Sequence, residues 1–271
     1  MTHVKKLIYQ DARRQLFTGT ALSFIALIFI IGFLTLNPSG FILSLIYSAI
    51  FTISGLGLLR TGYLDLKKAR QTEDDFTEDD TEEMLERVPA RMYLGQKAMK
   101  SYHAGLFAMD GELYGEIEEE VGLKQKILMG ITAALSLDTV RSADFILKDK
   151  QGNLFYKVEK KGGFSWRGYV QNKKGNYVAY TKDTKKKGQQ ITQYIESDQW
   201  RWRAEGDTVI GHFTIKDQNG TTWAIIKRGA IPTEAVDRFE QMPGYLVEWK
   251  KRDHIPASLI AFLFLLQSRD R

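Results

Sequence analysis

Near the end of the chain, residues 255–266 read Ile255-Pro-Ala-Ser-Leu-Ile-Ala-Phe-Leu-Phe-Leu-Leu266. The stretch is apolar on every face of a helix, and Pro256 suits a helix start. Twelve residues are too few to span a bilayer and suit a helix buried in a protein core. Lys250-Lys251-Arg252 and Arg269 flank it, so a helix inserted at a membrane surface is the competing assignment. The domain before it alternates largely like strand, and a helix with no polar face at the end of such a meander belongs inside a barrel.

The preceding residues contain a repeat. Phe145-Ile-Leu-Lys-Asp149-Lys-Gln-Gly152, Gly168-Tyr-Val-Gln-Asn172-Lys-Lys-Gly175 and Phe213-Thr-Ile-Lys-Asp217-Gln-Asn-Gly220 each lead into another alternating run. Asp or Asn opens a turn by bonding its own backbone, and Gly three residues on supplies the positive φ, so each copy is a β-hairpin. A shorter form, Leu106-Phe-Ala-Met-Asp110-Gly111, is expected to use a two-residue Asp-Gly turn. A further hairpin is expected to turn at Ser197-Asp198. In Trp200-Arg201-Trp202-Arg203, strict alternation puts both Trp inside and both Arg outside. Hairpins in series form an antiparallel meander, and closure into a barrel removes its edges. Gly122 to Val140, with the apolar run Ile127–Leu137, interrupts the strands and is expected to be a helix capping or crossing the barrel.

The hairpin repeats, the stretch Trp202-x-x-x-Gly206-x(6)-Phe213-x-Ile215-x-Asp217-x-x-Gly220-x-x-Trp223-Ala224-x-Ile226-Lys227 and the terminal apolar helix resemble the tubby C-terminal-like superfamily. That group includes the LURP-one-related proteins and the phospholipid scramblases. The resemblance covers about residues 92–271 and implies a closed, roughly twelve-stranded antiparallel barrel around a central hydrophobic helix. It also implies an association with membrane lipid. The chain departs from scramblases in having no cysteine.

Outward from this domain the chain changes character. Its mean hydropathy of −0.28 conceals two runs, Leu16–Leu36 and Phe41–Leu59, without a charged residue or a histidine. Each is long enough to cross a hydrocarbon core of ~30 Å as a helix. No small-x-small cleavage site follows the first, and Asn37-Pro-Ser-Gly40 is a turn sequence. A transmembrane α-hairpin is expected. Ser44, Ser48, Thr52 and Gly55 form a small-residue stripe that suits packing on the first helix, with dimerisation as the alternative. Lys5, Lys6, Arg13 and Arg14 before the hairpin, and Arg60, Lys67, Lys68 and Arg70 after it, put both termini in the cytoplasm. The expected setting is a plasma membrane crossed twice. Nine of the fourteen residues from Glu73 to Glu86 are acidic, which suits a solvated linker; the stretch lacks the glycine and spacing of a calcium loop. The organisation is thus a basic N-terminus over 1–15, a hairpin over 16–59, a linker over 60–91 and a barrel domain over 92–271.

The first ninety residues carry a net charge of −2 and the rest +7. Lysines concentrate at Lys182, Lys185, Lys186 and Lys187, expected in a loop, at Lys160 and Lys161 in a second loop, and at Lys173 and Lys174 in a hairpin turn. Such groups are candidates for anionic headgroups. The four histidines show no ligand spacing, and no P-loop, nucleophile-elbow or HExxH pattern occurs. No enzymatic activity, cofactor or metal is therefore expected. With its tryptophans committed to the core, the chain lacks a stacking platform and is not expected to bind nucleic acid. The expected partner is anionic membrane phospholipid. A scaffold for a partner protein and scramblase-like lipid movement are the alternatives.

Overall fold

In the computed structural model, the all-apolar segment is a helix that runs along the axis of a closed barrel. The structure describes residues 4–36, 41–72, 75–78, 85–97, 102–120, 142–162, 167–186, 189–207 and 211–269. Helices α1 (Val4–Leu36) and α2 (Phe41–Gln71) come first. They are followed by β1 (Leu85–Arg87), β2 (Arg91–Gln96), β3 (His103–Ala108), β4 (Leu113–Glu119), β5 (Ala143–Asp149) and β6 (Leu154–Lys160). Next come β7 (Gly168–Gln171), β8 (Tyr177–Lys186), β9 (Gln189–Glu196), β10 (Gln199–Asp207), β11 (His212–Asp217) and β12 (Thr222–Arg228). The chain ends with α3 (Val236–Phe239), β13 (Gly244–Trp249), β14 (Asp253–Ile255) and α4 (Ala257–Arg269). Strands β2 to β13 form a twelve-stranded antiparallel barrel in sequential order, closed where β13 pairs with β2, Val247 opposite Met92.

Alternation in the strands supplies the lining. Leu94, Leu106, Ile117, Leu147, Val158, Tyr194, Ile215, Ile226 and Val247 form one buried cluster with Leu259 to Leu266 of α4. From Ala257 to Leu265 no residue of α4 is more than 1% exposed. A thirteen-residue helix is ~20 Å long, matching strands of six or so residues at ~3.3 Å each. Polar groups inside are bonded at two places: Trp202 Nε1 donates to Ser258 Oγ at 3.0 Å, and Gln267 Nε2 donates to the Leu94 carbonyl at 3.0 Å. Pro256 stands between α4 and β14, which pairs with β1, Leu85 opposite Ile255.

The repeated turns form as the residues require. Asp149, Asn172 and Asp217 each accept, through Oδ1, the backbone N–H groups two and four residues on, at 2.8–3.0 Å. Gly152, Gly175 and Gly220 take φ of 85°, 85° and 78°. The 110–111 turn differs from expectation. Ala108 N–H bonds the Glu112 carbonyl, so three residues connect the strands, with Gly111 at φ 96°. It is the same construction as the others, except that Asp110 braces it from within by accepting Glu112 N–H at 3.0 Å. Ser197 and Asp198 both have positive φ, the two-residue turn of a tight hairpin.

Strict alternation in β10 fails. A bulge between Trp200 and Trp202 shifts the register against β9. Trp202 remains in the core, but Trp200 faces outward and packs on the cluster beside α1 and α2. An extra residue in one strand turns the side chain before it to the opposite face.

Both N-terminal helices are long and apolar enough to cross a membrane. Their 33 and 31 residues would extend ~50 and ~46 Å, well beyond a ~30 Å hydrocarbon core. Residues 60–71 therefore continue α2 and are not linker. Phe17, Phe24, Ile28, Ile31, Leu43, Leu45 and Leu56 are exposed along the apolar part. The stripe that includes Ser48 and Gly55 packs within the hairpin. A Cβ on Gly55 would collide with Ser23 Oγ and lie 2.9 Å from the Gly19 carbonyl, while one on Gly57 would meet nothing. Gly55→Val is expected to cost the full-length protein ~1–3 kcal/mol in a detergent unfolding titration through overpacking. Gly57→Val is expected to be neutral in the same titration. The turn at 37–40 and the helix expected over Gly122–Val140 lie outside the described residues.

Candidate functional site

The polar ends of α1 and α2 lie against the outside of β6 to β9, and charged side chains meet there under cover. On α1, Val4, Leu7 and Ile8 join Ala69 of α2 and Tyr169, Tyr177, Tyr180 and Ile195 of the barrel in an apolar cluster. Phe76, just beyond α2, stacks on Tyr180 with ring centroids 5.2 Å apart, and Thr77 N–H bonds the Tyr177 carbonyl at 2.9 Å. The acidic segment expected to be a solvated linker is thus tied to the barrel wall at 76–77.

Inside this contact, three carboxylates face three cations. Asp11 accepts from Arg167 at 3.1 Å and from the Tyr169 hydroxyl at 2.6 Å. Asp65 accepts from Lys161 Nζ and from Gln15 Nε2, each at 2.7 Å. Glu159 is buried between Lys161, 3.0 Å away, and Lys68, and also accepts from Gln171 and the Tyr177 hydroxyl. Burial alone would raise the Glu159 carboxyl. The neighbouring Lys161 and Lys68 outweigh it and hold the group below the usual carboxylate range. Burial likewise disfavours the charged Lys161, yet Glu159 and Asp65 hold it above the ordinary lysine value. Burial and the adjacent Glu159 raise the Tyr177 hydroxyl, keeping it a neutral donor.

These contacts fix a direction. Going from Lys68 to Asp65 along α2, toward its apolar part, accompanies going from Glu159 to Lys161 along β6. The barrel end beyond Lys161 is therefore the one from which the apolar helix segments project, and we call it the near end. The last residues of β2, β4, β6, β8, β10 and β12 and the first residues of β3, β5, β7, β9, β11 and β13 lie there, as does the C-terminus of α4. The turns at Asp110, Asp149, Asn172, Ser197 and Asp217 lie at the far end. A far-end cavity of about 490 Å³ is lined by Glu196, Ser197, Arg201 and Asp217 among others, and its Arg201 is paired with Glu196 at 2.8 Å.

The candidate lysines now separate into three groups. Lys160 and Lys161 are buried, 4% and 5% exposed, and lie in no exposed loop. Lys160 Nζ donates at 3.0 Å to the Ser268 carbonyl, where the negative end of the α4 dipole favours a cation. Lys161 belongs to the network. A strand ending in a buried partnered lysine is indistinguishable in sequence from one ending in a free lysine. Lys173 and Lys174 are exposed at the far end. Lys182, Lys185 and Lys186 are on strand β8 and not in a loop, because pairing with β9 continues to Lys186 opposite Gln189. Lys182 is exposed, and Lys187 lies outside the described residues. Of the helix flanks, Lys5, Lys6, Arg13, Arg14, Arg60, Lys67 and Arg70 are exposed, whereas Lys68 is bound to Glu159.

Sequence patterns alone did not single out Asp11, Asp65, Glu159 or Arg167. Asp11 and Asp65 did carry a signal. They are the ionisable acids within helices otherwise flanked by cations, and such groups beside an apolar span call for a partner. No family model matches the chain, and no curated protein matches it. Among solved structures, a protein of Arabidopsis thaliana is similar with a TM-score of 0.43 and 12% identity, over 69% of this chain and 95% of that one.

Proposed function

We propose that this chain is a barrel of the tubby C-terminal-like kind, held on a membrane by α1 and α2, whose near end engages anionic phospholipid headgroups through the β8–β9 hairpin. The observation that carries the proposal is the overhang of that hairpin. Gly168 N–H bonds Thr181 Oγ1, so Thr181 stands level with the start of β7 and with Arg167, which meets Asp11. From Thr181 to Lys186 the strand advances five more residues, ~16 Å, toward the near end. From Asp11 to the apolar run beginning at Leu16, α1 advances five residues, ~8 Å. The β8 backbone from Lys182 to Lys186 therefore reaches the level of the headgroups, where Lys182 is exposed and Asp183 is the nearby acid. Each lysine near an anionic leaflet contributes ~1 kcal/mol. Lys173 and Lys174 are a barrel length away and take no part.

Amine acylation of the full-length protein in lipid nanodiscs tests the proposal, with site-resolved mass spectrometry as readout. Lys182 is expected to react several-fold more slowly in phosphatidylglycerol than in phosphatidylcholine, and the difference should fade at high salt. Lys173 is expected to react equally in both. Equal rates for Lys182 in the two lipids would reject headgroup binding and favour a protein-interaction scaffold.

A further inference from the structure

The near end of the β3–β4 hairpin carries a second cluster, unrelated to the headgroup proposal. His103 begins β3 and sits opposite Glu118 of β4, with Glu116 on the same outer face. His103 Nε2 lies 2.8 Å from Glu116 Oε2 and 3.8 Å from Glu118 Oε1. The ligand atoms of the three residues all fall within 4.8 Å of one another. Lys97 Nζ lies 3.1 Å from the same His103 Nε2 and 3.4 Å from Glu116 Oε2.

These positions conflict at one atom. A neutral imidazole nitrogen is either a donor or an acceptor. If Nε2 carries a proton for Glu116, it meets the N–H groups of Lys97 with no lone pair. If it accepts from Lys97, its lone pair faces a carboxylate oxygen. A cation without protons satisfies the nitrogen and both carboxylates together. We infer that His103, Glu116 and Glu118 form a site for a zinc-class divalent cation, which Lys97 occupies with its ammonium in the metal's stead.

The geometry suits tetrahedral zinc. With bonds of ~2.0–2.1 Å, tetrahedral ligand atoms stand about 3.3 Å apart, and the two imidazole–carboxylate separations, 2.8 and 3.8 Å, bracket that value. Three ligands come from two paired strands of the barrel wall, and the fourth position is left to water. Lys148 Nζ holds Glu118 through its other oxygen, Oε2, at 2.8 Å, so Oε1 is oriented toward the site from outside it. Lys97 is on the connection after β2, and its long side chain can withdraw. Magnesium, which requires near-octahedral oxygen ligands, is a poor fit.

Zinc chloride titrated calorimetrically into the full-length protein in detergent tests the site. One zinc per chain is expected, with no comparable heat from magnesium. Glu116→Gln is expected to weaken binding by about tenfold or more, as loss of a ligand should at least match loss of its support. Lys97→Met removes the competing ammonium and is expected to tighten binding severalfold. That gain separates a metal site from a structural ion cluster, since a variant that merely damaged the fold would bind less. Absence of saturable zinc binding by the unaltered protein, or Lys97→Met binding no tighter, overturns the assignment.

Discussion

Phe262→Ala is expected to destabilise the barrel by ~3–5 kcal/mol, a large share of the ~5–15 kcal/mol that holds a domain folded. Phe262 lies at the middle of α4 with no exposed surface, its ring 5.7 Å from that of Tyr194 on β9. Strands meet it on all sides, and a closed wall cannot collapse into the space a missing ring leaves. The cost should thus sit at the high end of large-to-small substitutions, where relaxation is least. Urea unfolding of the full-length protein, followed by tryptophan emission, reads the change, since Trp202 and Trp249 line the same core. A helix resting in lipid would give the opposite result: alanine there would leave the barrel midpoint unmoved. Leu246→Ala is expected to cost less, because that side chain sits in the barrel wall apart from the axial cluster.

The barrel was legible because its signals are local and repeated. An Asx residue followed by glycine three positions later states a turn wherever it occurs, and Asp149, Asn172 and Asp217 formed it as read. A segment apolar on every face states that something must surround it. The β10 bulge was not legible, because Trp200 and Trp202 are both large and apolar. Alternation cannot distinguish a core residue from one packed beneath a neighbouring helix. Here Trp200 serves the apolar cluster on which α1 and α2 rest.

The junction was illegible for a different reason. Its carboxylates and cations are separated by up to 156 positions, as between Asp11 and Arg167, and no local pattern expresses such a pairing. Charge counting treated Lys68, Lys160 and Lys161 as equivalent to their exposed neighbours. Each is instead committed to a partner that only the tertiary structure brings near. His103, Glu116 and Glu118 were nearer to hand. A hairpin centred on residues 109–111 places position 103 opposite 117, and a bulge between Leu106 and Phe107 moves it to 118, so the pairing follows only once turn and bulge are both known. A search for sequential ligand spacing misses ligands that face one another across two strands.

Lys161→Met is expected to release the helices from the barrel wall while leaving the barrel folded. Removing one partner of a buried ion cluster costs ~3–5 kcal/mol, because the remaining charges are left uncompensated. Lys161 is the cation shared by Asp65 of α2 and Glu159 of β6, so its loss leaves Asp65 without its ion-pair partner and Glu159 with Lys68 alone. Hydrogen exchange should quicken at the amides of residues 4–12 and 66–72 and remain slow in α4. Proton linkage bounds where the contact holds. The Glu159 carboxyl is depressed, so its contribution is present above the unfolded value of ~4.3 and disappears as pH falls through its lower folded value. The Lys161 ammonium is raised, so its contribution is complete below ~10.4 and is lost as pH climbs through its higher folded value. Between about pH 5 and 10, exchange at the junction should owe nothing to titration of these two groups, and it should accelerate at either extreme. The same variant bears on the headgroup proposal. The network sets the height of the β8–β9 hairpin over the apolar helix segments, so a released barrel would no longer keep Lys182 at the lipid surface. Lys161→Met is therefore expected to abolish most of the lipid-dependent slowing of Lys182 acylation, although residue 161 itself touches no headgroup. Persistence of the slowing in a variant whose helix ends exchange freely would mean that the hairpin finds the membrane without help from the junction.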